Sequence, residues 1–288
     1  MDTLQGDWQH YSGATAIGYG GFVDCDDNVY KWAGRRISSL ANGRKVLDVG
    51  CGKCGRLPYF SGARSFVGVE AGQDMVDQIP DDAGVSITRW NGDSGSLGKE
   101  IQKSPKLVIH GDMQDVCESE VIRASIASSL FSVICFPDPV VPFKAISAGL
   151  KPGGRVVVVS NAMVPSDLGI DDTQSYSGLD VDLQNGVDNI KLPPGTVFRQ
   201  ILHLENCDLA LQDHAHTLHN IYNALSANQL SIEEAKIFPP QGCTYVDPEA
   251  PGSFTEAHKH FTDEFPVFSQ IQNRRLMYAK VCLVAAKR

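Results

Sequence analysis

Val46-Leu47-Asp48-Val49 runs straight into Gly50-Cys51-Gly52-Lys53-Cys54-Gly55. A short apolar run ending in closely spaced glycines predicts a buried strand that enters a tight turn and then a helix, because glycine takes up positive φ freely and lets backbone or ligand come close. A second strand, Phe66-Val67-Gly68-Val69, ends at Glu70, 18 residues beyond Gly52. A carboxylate at that spacing can accept both hydroxyls of a ribose. This stretch therefore predicts a parallel α/β sheet with an adenosine-containing ligand at its carboxyl edge.

The rest of the chain extends the pattern. Leu107-Val108-Ile109-His110 and Phe131-Ser132-Val133-Ile134-Cys135-Phe136 read as strands three and four, and Leu150-Lys151-Pro152-Gly153-Gly154 turns the chain into Arg155-Val156-Val157-Val158-Val159. Uninterrupted apolar runs are expected of parallel strands covered on both faces. Gln229 to Ile237 and Leu276 to Val284 read as two further strands. The fold expected is a doubly wound, Rossmann-like sheet of seven strands, mostly parallel with an antiparallel last strand. Residues 161–228 interrupt the rhythm with Pro193-Pro194-Gly195, a strand-like Val197 to Leu204 and a helical Leu218 to Ala227 after the N-cap Thr217. They are expected to be a substrate-covering insertion within one domain spanning residues 1–288. Residues 239–273 form a second possible cap segment, and residues 1–40 an N-terminal helical lid.

The flanks of the glycine turn resemble the class I S-adenosylmethionine-dependent methyltransferases. Val46 to Gly52 looks like that family's first motif, Gly111-Asp112-Met113-Gln114-Asp115 like its turn after strand three, and Leu150 to Val156 like its turn before strand five. The last two strands resemble its sixth and seventh. The likeness covers roughly residues 40 to 160 and 228 to 288. It implies S-adenosylmethionine as cofactor and S-adenosylhomocysteine as product. Asp48 would face the amino group of the methionine part, where a carboxylate would repel the pyrophosphate of a dinucleotide. Gly50, Cys51, Gly52 and Gly55 would cradle the cofactor, Glu70 with Ala71 would take the ribose, and Asp112 with Met113 would face the adenine. Gly92-Asp93 is a second candidate for the adenine turn; preferring Asp112 implies extra chain before strand three.

Phe136-Pro137-Asp138-Pro139 follows strand four at the edge where open α/β sheets hold ligands. It is similar, incompletely, to the Pro-Asp-Pro segment of tRNA guanine-N7 methyltransferases, so Phe136 and Asp138 are candidates to face cofactor and substrate. His203, Asp213, His214, His216 and His219 cluster in the insertion. A strand alternates its faces and would send Asp213 away from His214 and His216, so no metal site is expected. The stretch Asp213 to Leu225 resembles one that lines the acceptor pocket of small-molecule methyltransferases. His216 is then the first choice of general base, with His214, His203 and Asp138 behind it. Tyr11 and Tyr19, in an aromatic and glycine-rich N-terminal stretch, are candidates for contact with cofactor or acceptor.

Composition narrows the acceptor. The formal charge is -9 and no basic run exceeds a pair, whereas nucleic-acid binding needs a concentrated positive footprint. No apolar stretch approaches the roughly 20 residues of a membrane helix. The N-terminus lacks the pattern of a secretory signal, so the 8 cysteines are expected to be reduced thiols in a cytoplasmic enzyme. Cys51 and Cys54 form a C-x-x-C without the second pair that a zinc site needs. The expectation is a cytoplasmic methyltransferase, monomer or homodimer, acting on an oxygen or nitrogen of a small molecule. An RNA or protein N-methyltransferase and a non-catalytic cofactor-binding partner subunit are the alternatives.

Overall fold

The computed structural model describes residues 28–165, 179–182, 197–203, 208–214, 216–238 and 276–288. Helix α1 (Asn28–Ala41) leads into β1 (Lys45–Val49) and, after the glycine turn and a short 3-10 helix at Leu57–Phe60, into β2 (Ser65–Glu70). The chain continues through α2 (Gln73–Val76), β3 (Ser86–Arg89), α3 (Ser94–Lys103), β4 (Lys106–His110), α4 (Met113–Cys117) and β5 (Ala124–Leu130). Then come α5 (Val140–Gly149), β6 (Leu150–Pro165), β7 (Leu179–Asp182), β8 (Val197–His203), β9 (Asp208–His214), α6 (Leu218–Ala227), β10 (Leu230–Phe238) and β11 (Leu276–Lys287).

The main sheet has the order β10-β11-β6-β5-β1-β2-β4-β3, and β7-β8-β9 form a separate antiparallel sheet. Strands β1 to β6 pair parallel with one another, while β11 runs antiparallel to both β6 and β10. The strand order reverses between β1 and β5. That is the point at which the loops leaving an open α/β sheet diverge and open a crevice.

The core explains the apolar runs. Successive residues of a strand face opposite sides of the sheet, and here both sides are covered. Leu47 and Val49 of β1, with Val156 and Val158 of β6, pack against Val116 of α4, Phe143 and Ile146 of α5, and Leu218, Ile221 and Leu225 of α6. Val46, Val157 and Val159 point the other way, toward Trp32, Ala33 and Ile37 of α1 and toward Phe60. Helix α6 begins where the sequence places it: the Thr217 hydroxyl accepts from the Asn220 amide at 3.2 Å.

Four expectations need correction. The fourth strand of the fold is β5, Ala124–Leu130, and not 131–136. Ser128 and Ser129 interrupt its apolar pattern, yet both are fully buried because Ser128 donates to Asp48 and Ser129 shares a hydrogen bond with Ser132. The chain then turns at Phe131, whose φ is +65°, into a 3-10 turn at Val133–Cys135. The expected helix after the glycine turn is reduced to Leu57–Phe60, because Gly50, Gly52 and Cys54 all hold positive φ and keep the chain in turns. The main sheet has eight strands where seven are expected. The additional one, β3, is the extra chain before the third strand, and it pairs only with β4 at the sheet edge. Finally, Gly153-Gly154 is no boundary turn but a kink inside β6, where the β5 register slips from Ala124↔Leu150 to Ile126↔Arg155.

Residues 1–27 and 239–275 lie outside the described residues, and so do the N-terminal lid apart from residues 28–40, the second cap segment, and Tyr11 and Tyr19. Among the described residues no helix is long and apolar enough to cross a membrane.

Candidate binding site

A cleft of about 990 Å³, its open mouth included, lies over the carboxyl ends of β1 and β2 and is closed at one side by the turn after β5. Its floor is the glycine turn. The amides of Gly50 and Cys51 both donate to the Val69 carbonyl, at 2.8 and 3.1 Å, tying the turn to β2. Gly50 has φ +74° and Gly52 φ +53°. A Cβ on Gly50 would stand 2.6 Å from Ser132 Cβ, and one on Gly52 would stand 3.0 Å from Met75 Cε. Positive φ favours glycine at both places, and at Gly50 the Ser132 Cβ also leaves no space for a side chain.

Two carboxyl groups face the cleft. Asp48 is 5% exposed, and its Oδ1 accepts from Ser128 Oγ at 2.6 Å. Burial pushes its pKa up to about 7; the Ser128 hydrogen bond opposes the rise and the nearby Glu70 adds to it. Glu70, 9% exposed, accepts from the Gly52 amide through Oε2 and from the Gly72 amide through Oε1, both at 2.8 Å. Burial raises its pKa as well, against the lowering effect of those amides. Each carboxylate oxygen has two lone pairs, so Glu70 keeps acceptor capacity toward the cleft. Ala71 lines the cleft beside it, and its carbonyl accepts from His110 Nε2–H at 3.2 Å.

The turn after β4 forms the next wall. The Gly111 amide donates to the Glu70 carbonyl at 2.9 Å, and Gly111 and Met113 line the cleft. Asp112 caps α4 by accepting from the Gln114 amide at 2.8 Å. Asp93 makes the corresponding bond to Gly95 at 2.9 Å, but it caps α3 after the edge strand β3 and is exposed. Of the two candidate turns, the one at Asp112 flanks the cleft.

Gly55, Cys51 and Phe136 also line it. Cys51 and Cys54 face each other across a turn in which the Cys54 amide donates to the Cys51 carbonyl at 3.0 Å. That contact, with burial, holds the Cys51 thiol well above its ordinary range. Among the described residues no three His, Cys, Asp or Glu side chains converge on a point that could hold a metal ion.

The residues favoured for acid–base chemistry stand elsewhere. Among the described residues that line the cleft, none is His214, His216 or Asp138. His216 is fully buried, its Nε2–H donates to the Phe136 carbonyl at 2.9 Å, and its Nδ1 has no hydrogen-bond partner among the described residues. Burial lowers its pKa to about 4, with the Phe136 carbonyl pulling the other way and His214 adding to the drop. The ring thus sits against the backbone of Phe136, which itself lines the cleft. His214 is buried beside it, and Asp138, just before α5, accepts from the Val140 amide at 2.9 Å. The side chains of His203 and Asp213 lie outside the described residues.

His216 carries a pH prediction. Its pKa is depressed in the folded state, so the unfolded chain binds the proton more readily and stability falls as pH drops from about 6.5 toward 4. Asp48 acts oppositely in the same window, because a raised carboxyl pKa costs stability as pH rises. The clean observable is therefore a difference between two proteins. His216→Gln keeps a donor for Phe136 and does not titrate. Wild-type stability minus that of His216→Gln, from urea unfolding, should decline by about 3 kcal/mol between pH 7 and pH 4. A constant difference would contradict the buried neutral imidazole.

Several lining residues escaped the sequence: Tyr30, Lys53, Arg56, Met75, Phe131 and Ser132. Ser132 is marked only by its contact with Gly50, across a chain separation that no local pattern reports.

No family model and no curated protein matches the chain by sequence. Solved structures do match. An S-adenosylmethionine-dependent methyltransferase from Clostridium acetobutylicum is similar with 13% identity, 94% of this chain and 97% of that chain covered, and a TM-score of 0.50. A chain from the Haloferax volcanii complex between the Trm112 methyltransferase activator and a candidate methyltransferase is similar with 14% identity, 99% of each chain covered, and a TM-score of 0.51. At such identities the likeness is one of fold: the chain has the Rossmann-like α/β fold of these proteins.

Proposed function

We propose that this chain, built on the fold found in S-adenosylmethionine-dependent methyltransferases, binds S-adenosylmethionine in the cleft and transfers its methyl group to an oxygen or nitrogen of a small organic acceptor. The observation that carries this reading is the pair of buried carboxyl groups on either side of the glycine turn. Asp48, hydrogen-bonded to Ser128, stands before it, and Glu70, anchored by the Gly52 amide, stands after it. Two acids there suit a ligand with an ammonium group and a ribose, and they disfavour a pyrophosphate.

The residues fit this ligand. Gly50 and Gly52 leave the space that a Cβ would fill, and Asp48, Glu70, Ala71, Gly111 and Met113 line the cleft; in this reading Asp48 takes the ammonium group, Glu70 with Ala71 the ribose hydroxyls, and the Gly111-Asp112-Met113 turn the adenine. When bound, S-adenosylmethionine supplies an activated methyl group on a good leaving sulfur. The protein's work is then chiefly alignment and the exclusion of water. Phe131 and Phe136 provide apolar walls, and His216 fixes Phe136 through its carbonyl. His216 is thus proposed as a positioning residue, with Asp138 and His214 supporting the same wall. Tyr11, Tyr19 and the two cap segments are proposed to cover the acceptor. Incubating the protein with S-adenosylmethionine and a panel of small hydroxyl and amino compounds should give one methylated product by mass; recovery of every acceptor unmodified would count against transfer.

Asp48 makes the binding pH-dependent. Below pH 7 its carboxyl is protonated, and an ammonium group must displace that proton. Affinity for S-adenosylhomocysteine should therefore fall by about tenfold per pH unit below 7. In Asp48→Asn the affinity should be weaker and flat from pH 5 to 7.5. A parallel slope in the two proteins would place Asp48 away from the ligand's charge.

A further inference from the structure

Arg56 stands on the cleft wall together with Asp48 and Glu70, at the start of the short 3-10 helix after the glycine turn. Its guanidinium lies 3.7 Å from the centroid of the Tyr30 ring and 6.0 Å from that of Tyr59. Stacking on an aromatic face fixes the plane of the guanidinium but satisfies none of the donors that point outward in that plane. Nε and Nη2 are both buried, and among the described residues neither finds a hydrogen-bond acceptor. The acids of the cleft do not serve it: Asp48 is bonded to Ser128, and Glu70 to the amides of Gly52 and Gly72.

Buried donors without acceptors are costly, and a side chain held in that state by its neighbours needs a reason. The reason at hand is an acceptor that arrives with a ligand. We infer that Arg56, held flat against Tyr30, is a carboxylate-binding residue of this cleft and the counterpart of Asp48 for a ligand bearing both charges. A planar fork matches a planar carboxylate through two parallel hydrogen bonds. A dianionic phosphate is disfavoured by the nearby Asp48 and Glu70, whereas a single negative charge is better tolerated. The carboxylate has two possible sources, the amino acid end of S-adenosylmethionine or an acidic acceptor lying beside it. The inference rests on the cofactor reading above.

The test uses the full chain, Arg56→Gln and Arg56→Lys, with three probes: S-adenosylhomocysteine, 5′-methylthioadenosine, which lacks the amino acid end, and benzoate added to protein saturated with S-adenosylhomocysteine. We expect Arg56→Gln to bind 5′-methylthioadenosine as the wild type does and to lose roughly 10- to 100-fold in S-adenosylhomocysteine affinity, with Arg56→Lys recovering only part. That result puts the carboxylate on the cofactor. Unchanged S-adenosylhomocysteine affinity with loss of benzoate binding puts it on the acceptor, and also supports the inference. Equal binding of both acids by wild type and Arg56→Gln overturns it. Loss of 5′-methylthioadenosine binding in Arg56→Gln overturns it too, since Arg56 would then be holding the turn and not a ligand. If the wild type binds neither nucleoside, the cofactor reading itself fails.

Discussion

Replacing Glu70 with alanine should weaken S-adenosylhomocysteine binding by roughly 10- to 150-fold, the range expected when a charged hydrogen-bond acceptor worth about 1.5 to 3 kcal/mol is removed. Two effects add in the same direction. The ribose loses its acceptor, and the Gly52 and Gly72 amides, each 2.8 Å from a Glu70 oxygen, lose the group that fixes the turn around the ligand. Glu70→Gln separates them only in part, because its amide nitrogen must point at one backbone N–H and leave that donor opposed. It should fall between wild type and Glu70→Ala. Circular dichroism should show the native spectrum in the variants whose affinity is compared. Wild-type affinity in a folded Glu70→Ala protein would sink the ribose assignment.

Gly50→Val is expected to be as severe by a different route. At φ +74° a β-branched side chain is strained by about 1 to 2 kcal/mol, and its Cβ would meet Ser132 Cβ at 2.6 Å. Ser132 cannot retreat freely: it is hydrogen-bonded to Ser129 and donates to the Val49 carbonyl at 3.2 Å. Overpacking of this kind adds about 1 to 3 kcal/mol. The total, about 2 to 5 kcal/mol, should appear as a lower urea midpoint together with loss of S-adenosylhomocysteine binding. Gly43→Val gives the control. Its φ is +68°, but no atom lies within 4 Å of its added Cβ, so it should show the strain without the clash and leave binding intact. Equal losses in the two variants would mean that the Ser132 contact is unimportant.

The sequence and the structure agree where local chemistry dictates the outcome. Val46–Val49, Phe66–Val69 and Leu107–His110 are read correctly because a strand covered on both faces must be apolar throughout. Thr217 announces α6 because a hydroxyl is needed there to accept from the Asn220 amide. The glycine turn is legible since positive φ at Gly50 and Gly52 leaves little choice of residue. What fails is decided by partners far along the chain. Strand β5 looks too polar to be buried until Asp48, 80 residues earlier, is seen to take the Ser128 hydroxyl. The surroundings of His216 are likewise set by Phe136, also 80 residues away, whose carbonyl takes its ring N–H. Arg56 gives no sign in the sequence, because the ring that holds it belongs to α1, on the far side of β1 and the glycine turn along the chain.

The central claim is that the cleft over β1 and β2 is built for an adenosine ligand whose amino acid end carries an ammonium group and not for a dinucleotide. Calorimetric titration of the folded, cofactor-free protein with S-adenosylhomocysteine, with NAD as the control ligand, tests it most directly. The account predicts saturable one-to-one binding of S-adenosylhomocysteine and no heat of binding with NAD. Binding of NAD, or no binding of S-adenosylhomocysteine, would contradict it.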